Sequence, residues 1–298
     1  MPRNKGPSIF CNVRYWQIGN EQSGEEYERI LLQYARAIRE RYPHLVLLAS
    51  YPSDNILQSL SEVIDYVCPH FYAPYSAAEE DKIRQWIEKI DQIATNKQLK
   101  IGITEWNHTG GHWGWARAWL LTLYNALNAA RTLNMYQRLG DRIRIANRSN
   151  LTNSCCSGVI QTNGTDLYLT PCYHVQKAYS NFAGDTALRV PIDPSASLDV
   201  AATRREETGE IALFVVNFHA QSKPCQVDFV DRNPSTTSLD VWTLSGPSLD
   251  AVNSFQEKEQ VAPREFRLPL EAGPFAYEFP AYSVTVLRLR SAGGGRGH

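Results

Sequence analysis

Lys100-Ile101-Gly102-Ile103-Thr104-Glu105-Trp106 is an apolar run of strand length that ends on a carboxylate. Ahead of it, Glu79 to Ala94 carries Ile83, Trp86, Ile87, Ile90 and Ile93 at helical spacing. Behind it, Trp115 to Tyr136 reads as one long amphipathic helix. A strand between two helices implies a parallel sheet, because parallel neighbours need a crossover. The alternation extends outward. Val13 to Gly19, Leu45 to Ser50, Ile64 to Tyr72 and Arg142 to Ala146 read as further strands. Glu25 to Arg41, one or two turns within Ile56 to Val63, and Tyr173 to Phe182 read as helices.

Beyond about residue 188 the helical period stops. Glu210 to Asn217, Gln226 to Val230, Leu239 to Leu244 and Tyr282 to Arg290 alternate or run apolar as strands do. In the last of these the apolar phase shifts after Val286, which predicts a bulge. The expected class is α/β plus all-β. A catalytic α/β part spans residues 1–187, an antiparallel β-sandwich 188–291, and a Gly-rich tail 292–298.

Composition narrows the function. The chain has 298 residues, 43% of them hydrophobic, enough for a sizeable core. Thirty basic residues against 31 acidic ones leave no footprint for nucleic acid. The most apolar stretch is broken by Arg117, Asn125, Asn128 and Arg131, so no membrane span is expected. None of the six cysteines has C-x-x-C spacing, which argues against a zinc ribbon or a thioredoxin site. No G-x-S-x-G elbow or phosphate-binding glycine loop occurs. His108 and His112 are four apart, but the Gly-Gly between them disfavours a helical zinc pair. The compartment, cytoplasmic or secreted, is left open.

Three strand ends carry chemistry. Tyr15 to Glu21 reads YWQIGNE, Asp65 to Tyr72 reads DYVCPHFY, and Ile101 to Asn107 reads IGITEWN. The carboxyl ends of parallel strands are where α/β folds place their sites. Two carboxylates, an imidazole and a phenol on one rim suit glycosidic cleavage. That reaction needs one protonated and one ionised carboxyl group.

WQIGNE, PHFY and GITEWN together resemble the glycoside hydrolase family 51 α-L-arabinofuranosidases, retaining enzymes built on a (β/α)₈ barrel. IANRSNLTNS, LTPCYHVQKAYSNFAG and PAYSVTVLRL extend the resemblance to about residue 290. It implies a partial barrel, strands four to eight, followed by a C-terminal β-sandwich. Glu21 would be the general acid/base and Glu105 the nucleophile. Asn20 would bond the sugar 2-hydroxyl, Tyr72 would orient Glu105, and His70 would support the rim. Trp106 would wall the sugar pocket. Asn150 stands where many members carry a glutamine near the sugar. Gln17 and Thr104 replace residues that are commonly acidic. No metal and no organic cofactor is implied.

The implied substrate is a carbohydrate with terminal arabinofuranosyl groups: arabinan, arabinoxylan or their oligosaccharides. The alternatives are another retaining glycosidase of the same clan (β-xylosidase, β-glucuronidase or endoglucanase) and an inactive carbohydrate-binding module. On this resemblance the chain opens at the fourth barrel strand. A fragment is the expected reading; the alternatives are completion of the barrel by another chain, as in a homo-oligomer, and five strands that fold in some compensated way. His108, His112, Trp113 and Trp115 crowd the loop after Glu105, as a substrate platform or as a capping cluster.

Overall fold

The computed structural model describes residues 13–193, 195, 197–230, 238–271 and 273–290. The chain divides into two compact units. The first holds residues 1–69 and 82–104, and the second residues 70–81 and 105–298. The division does not follow the change of texture near residue 188.

In the first unit, β1 (Tyr15–Ile18), β2 (Val46–Ala49), β3 (Tyr66–Val67) and the start of β5 (Lys100–Trp106) pair in that order, all parallel. Between β3 and β5 in sequence comes the two-residue strand β4 (His70–Phe71). The expected strand from Ile64 to Tyr72 is thus two pieces. Pro69 sits at the break, where it has no N–H to give a ladder. α1 (Glu25–Arg41) follows Gly24, has Glu25, Glu26 and Glu28 in its first turn, and ends on Arg39 and Arg41. Acid first and base last suits the helix dipole. Its Leu31 and Ala35 close a core with Ile18, Leu47, Ala49, Leu60 and Ile64. A short helix α2 (Leu57–Leu60) and most of α3 (Ala77–Ile93) complete the unit.

In the second unit the last residues of β5 pair in parallel with β4. The expected long helix after it is broken. A 3-10 turn covers Gly114–Leu121, and α4 (Leu123–Arg138) starts afresh. Thr122 is extended, caps α4 through Asn125 N–H, and forms a bridge with Val252. The Leu123 and Tyr124 N–H groups donate to the Ala251 and Leu249 carbonyls at 2.9 and 2.8 Å. A tertiary contact therefore overrides a continuous helical period. β6 (Ile143–Arg148), the hairpin β7 (Ile160–Thr162) and β8 (Leu167–Leu169), and α5 (Pro171–Phe182) follow.

The remaining strands are β9 (Thr186–Leu188), β10 (Asp199–Arg204), β11 (Ile211–Asn217), β12 (Lys223–Val227), β13 (Ser238–Ser245), β14 (Pro263–Pro269), β15 (Phe275–Phe279) and β16 (Ser283–Leu289). One antiparallel sheet has the order β14-β13-β16-β11-β10-β9, and β12 pairs with β15. Leu213, Val215, Leu287 and Leu289 meet Val227, Phe229 and Phe279 in the core between them. The expected bulge in β16 is absent. Its register against β11 and β13 is continuous from Ser283 to Leu289. Odd residues face that core throughout, while Arg288 lies over the Phe182 ring of α5 at 4.0 Å. Both faces are covered, so the apolar phase changes without any change in the pleat. The expected tail lies outside the described residues.

Candidate active site

In the first unit the chain leaves β1 through a turn that only glycine permits. Gly19 has φ +82, and a Cβ there would stand 2.7 Å from Cε2 of Tyr27. The Tyr27 hydroxyl donates to the Ile18 carbonyl at 2.7 Å and accepts the Ser50 N–H at 2.8 Å. Burial pushes this phenol up to about 12, so it remains a donor. The Gln22 N–H donates to Ser50 Oγ at 3.1 Å, fastening the turn to the end of β2. Asn20 and Glu21 are exposed. Glu21 has φ 52, a left-handed conformation that costs energy in a residue with a Cβ. The Gln17 amide donates to the Gly19 carbonyl at 2.9 Å and reaches Asn20 Oδ1 at 3.5 Å.

In the second unit, β4 sets His70 opposite Glu105 and Phe71 opposite Trp106. The Tyr72 hydroxyl donates to Glu105 Oε1. His70 Nδ1 lies 3.5 Å from Glu105 Oε2, with the imidazole side chain 2% exposed and the carboxylate 33%. Three of the expected residues thus meet at the end of β5. A phenol on one oxygen and an imidazole beside the other fix the rotamer of a carboxylate that still reaches solvent.

The sequence reading overlooked what locks this strand end. Asn107 is fully buried. Its N–H donates to the Phe71 carbonyl at 3.0 Å and its Nδ2 to the Ser149 carbonyl at 3.2 Å. Its Oδ1 accepts from the His108 N–H at 2.8 Å and from Arg148 Nη2 at 2.9 Å. The available signal was its place in the IGITEWN run, two residues after Glu105.

Two expectations are corrected. Trp106 walls no pocket. It is 0% exposed, packed edge-on against Tyr136 at 5.9 Å and under the Arg148 guanidinium at 5.1 Å. Successive strand residues point to opposite faces, so Glu105 at the rim sends Trp106 into the core. His108 leaves the platform for the same core. Its ring nitrogens lie 2.9 Å from Asn125 Oδ1 and 3.1 Å from Thr132 Oγ1. Burial and then the Arg148 charge drive it down to about 3, so it is neutral. With both ring nitrogens engaged, it has none to offer a metal alongside His112. Trp113 and Trp115 remain at the surface, 78% and 85% exposed. Asn150 has φ 66 and accepts from Ser154 Oγ at 2.9 Å, a bond within its own loop. That loop continues through four left-handed residues, Asn153 to Cys156.

β1 and the start of β5 belong to one parallel sheet; Glu21 comes three residues after the carboxyl end of β1, and Glu105 is the last residue but one of β5. The carboxyl ends of parallel strands are where α/β folds place their sites. The comparisons agree. Residues 105–283 match the model of the α-L-arabinofuranosidase C-terminal domain, and the chain belongs to that family. The chain is 26% identical over 289 residues to α-L-arabinofuranosidase 1 of Arabidopsis thaliana, covering 93% of itself and 41% of that protein. It is 27% identical to a probable α-L-arabinofuranosidase C of Aspergillus clavatus, with 97% and 68% covered. The arabinose complex of the Thermotoga maritima α-L-arabinofuranosidase shares the fold, with a TM-score of 0.75 at 20% identity. That match covers 94% of this chain and 66% of the other. The chain thus spans about two fifths of the Arabidopsis relative. The expected resemblance to family 51 is borne out. Among the described residues no helix is long and apolar enough to cross a membrane.

Proposed function

We propose that the chain carries the catalytic pair of a retaining α-L-arabinofuranosidase, which releases terminal α-L-arabinofuranosyl groups from oligo- or polysaccharides. The observation that carries the reading is the Glu105 carboxylate, held by the Tyr72 hydroxyl and flanked by His70 at the end of a parallel strand. The parallel strands are then barrel strands four to eight. Glu105 attacks the anomeric carbon. The bond to the leaving oxygen breaks, and Glu21 gives that oxygen its proton. Glu21 then takes a proton from water, which attacks the same carbon and frees Glu105. Such double displacement requires carboxyl groups about 5–5.5 Å apart. Asn20, beside Glu21, bonds the 2-hydroxyl. Trp113 and Trp115 offer ring faces to the rest of the saccharide. The mechanism needs no metal or cofactor.

The test is turnover of 4-nitrophenyl glycosides, led by the α-L-arabinofuranoside. Glu105→Gln is expected to lower kcat by roughly 10³-fold or more, because the covalent step loses its nucleophile. Glu21→Ala is expected to be partly rescued by azide, which attacks without base assistance. A chain that hydrolyses the β-xyloside, the β-glucuronide or none of the panel refutes the arabinofuranosidase reading. An unchanged rate for Glu105→Gln refutes the assignment of the nucleophile.

A further inference from the structure

We propose that Asn163 is the acceptor of an N-linked oligosaccharide. It lies outside the catalytic constellation, and its modification does not require arabinofuranosidase activity. Asn-x-Ser/Thr, with any middle residue but proline, is the acceptor sequence of N-glycosylation. The chain has four such triplets, starting at Asn107, Asn147, Asn150 and Asn163. As sequences they rank equally. In the folded chain they do not.

A glycan is bulky and hydrated, so its asparagine must stand at the surface with the amide nitrogen open. Asn107, His108 and Thr109 are 0%, 0% and 4% exposed. Asn107 Nδ2 donates to the Ser149 and Ser157 carbonyls, at 3.2 and 3.5 Å. A sugar on that nitrogen would have to sit in the core. The triplet from Asn147 runs along β6, where Arg148 and Ser149 are half-buried. The Ser149 N–H there donates to the Trp106 carbonyl at 2.9 Å. Asn150 is half-buried, and both ends of its amide are engaged. Its Oδ1 accepts from Ser154 Oγ at 2.9 Å, and its Nδ2 donates to Ser149 Oγ at 3.4 Å.

Asn163, Gly164 and Thr165 form the turn between β7 and β8, and all three are exposed. Asn163 Oδ1 accepts the Thr165 and Asp166 N–H groups, at 3.0 and 2.8 Å. This Asx turn directs the carbonyl end of the amide to the backbone. Nδ2, at the other end, has no partner among the described residues. A Cβ on Gly164 would meet open space, so the turn is uncrowded. The turn is also fastened from below. The Thr162 N–H donates to Asn153 Oδ1 at 2.7 Å, and Lys258 pairs with Asp166. A glycan here extends into water and displaces no contact that holds the hairpin.

The co-reactant is an oligosaccharide carried on a polyprenyl diphosphate, presented by a transferase. Asn163 Nδ2 attacks the anomeric carbon of the first sugar. The bond from that carbon to the diphosphate oxygen breaks, and the lipid diphosphate leaves with its electron pair. Nδ2 gives up one of its two protons to a base of the transferase and keeps the other.

The experiment expresses the full chain behind a cleavable secretion leader in a eukaryotic host. The secreted protein is treated with peptide N-glycosidase in ¹⁸O water, which marks each glycosylated asparagine as ¹⁸O-labelled aspartate, and is read by peptide mass spectrometry. Label is expected at Asn163 and none at Asn107. The ¹⁸O mark separates a removed glycan from earlier spontaneous deamidation of the Asn163-Gly164 pair. Asn163→Gln and Thr165→Ala are each expected to abolish the label at this triplet, and Thr165→Ser to keep it. If the chain is retained in the host, the retained pool is read in the same way, because transfer precedes folding. Asn163 without label in either pool overturns the proposal. Label at Asn107 in the secreted, cooperatively folded protein overturns it too, because burial would then not be what ranks the four.

Discussion

The Tyr72 hydroxyl donates a hydrogen bond to the Glu105 carboxyl. Tyr72→Phe removes that donor and little else. The expected loss is about 1.5–3 kcal/mol, or roughly 10- to 100-fold in kcat/KM on an arabinofuranoside. An unchanged kcat/KM, with the fold verified by circular dichroism, would remove Tyr72 from the site. His70, Tyr72 and Glu105 were legible in sequence because acid, imidazole and phenol fell at strand ends in the order the chemistry needs. Trp106 was misread for a simple reason. A motif is linear, but a strand sends alternate side chains to opposite faces, and only Glu105 gets the rim. Asn107 was given no role because an asparagine with five partners looks like any loop asparagine until the strands around it are paired.

The turn between β1 and α1 sets the backbone of Asn20 and Glu21. Gly19→Ala would force a left-handed residue with a Cβ and drive it into the Tyr27 ring. The expected destabilisation is about 2–3 kcal/mol, read from the urea midpoint, with turnover falling as the Glu21 carboxylate is displaced. A variant as stable as wild type would mean the turn relaxes freely. Among elements, α1 and β5 were readable because local pattern and tertiary placement agree. The segment from Trp115 to Tyr136 was not. Its period is helical throughout, and only the pairing of Thr122 with Val252, distant in sequence, shows why the helix restarts. The strand β16 failed in the opposite sense. A pattern break predicted a bulge, but Arg288 finds an aromatic face and Asp240 within a regular strand.

Across the whole molecule, two features concern stability and association. His108 has its folded value near 3, against 6.5 for a free imidazole. Below pH 6.5 the unfolded chain takes up a proton that the folded chain refuses. Stability therefore falls as pH drops from about 6.5 towards 3 and is flat above that window. His174 is lowered for the same chief reason, burial, and acts in the same direction. At pH 5 the His108 contribution is about 2 kcal/mol below its value at pH 7. Urea titrations at the two pH values should show it, and His108→Gln should flatten the slope between them. Burial raises the Asp65 carboxyl, but Lys97, the Leu47 N–H and Arg39 outweigh it and hold the group below its unfolded value of 3.8, so its stabilisation is also lost in acid, at the low end of the window. Equal midpoints at pH 7 and pH 5 would mean that His108 is protonated in the folded protein.

The edge of the parallel sheet leads to the last expectation. Among the described residues β1 is bonded to β2 on one side only. Tyr15 and Trp16 are 54% and 52% exposed. Adjacent strand residues point to opposite faces, so the start of this edge leaves ring surface on both, while Ile18 at its end is covered by α1. Parallel sheets are ordinarily buried on both faces, and an open aromatic edge is a template for pairing. Tyr34 on α1 adds further exposed ring surface in the same unit. The chain, expressed as given, is therefore expected to self-associate as its concentration rises, by sedimentation velocity. Trp16→Lys places a charge on the edge and should shift the distribution towards monomer. Its unfolding free energy should stay within about 0.5 kcal/mol of wild type, because the residue is half exposed. Sedimentation as a monomer at all concentrations would show that the edge is protected. Association unchanged by Trp16→Lys would move the contact elsewhere, to Trp113 and Trp115, the most exposed aromatic residues of the second unit.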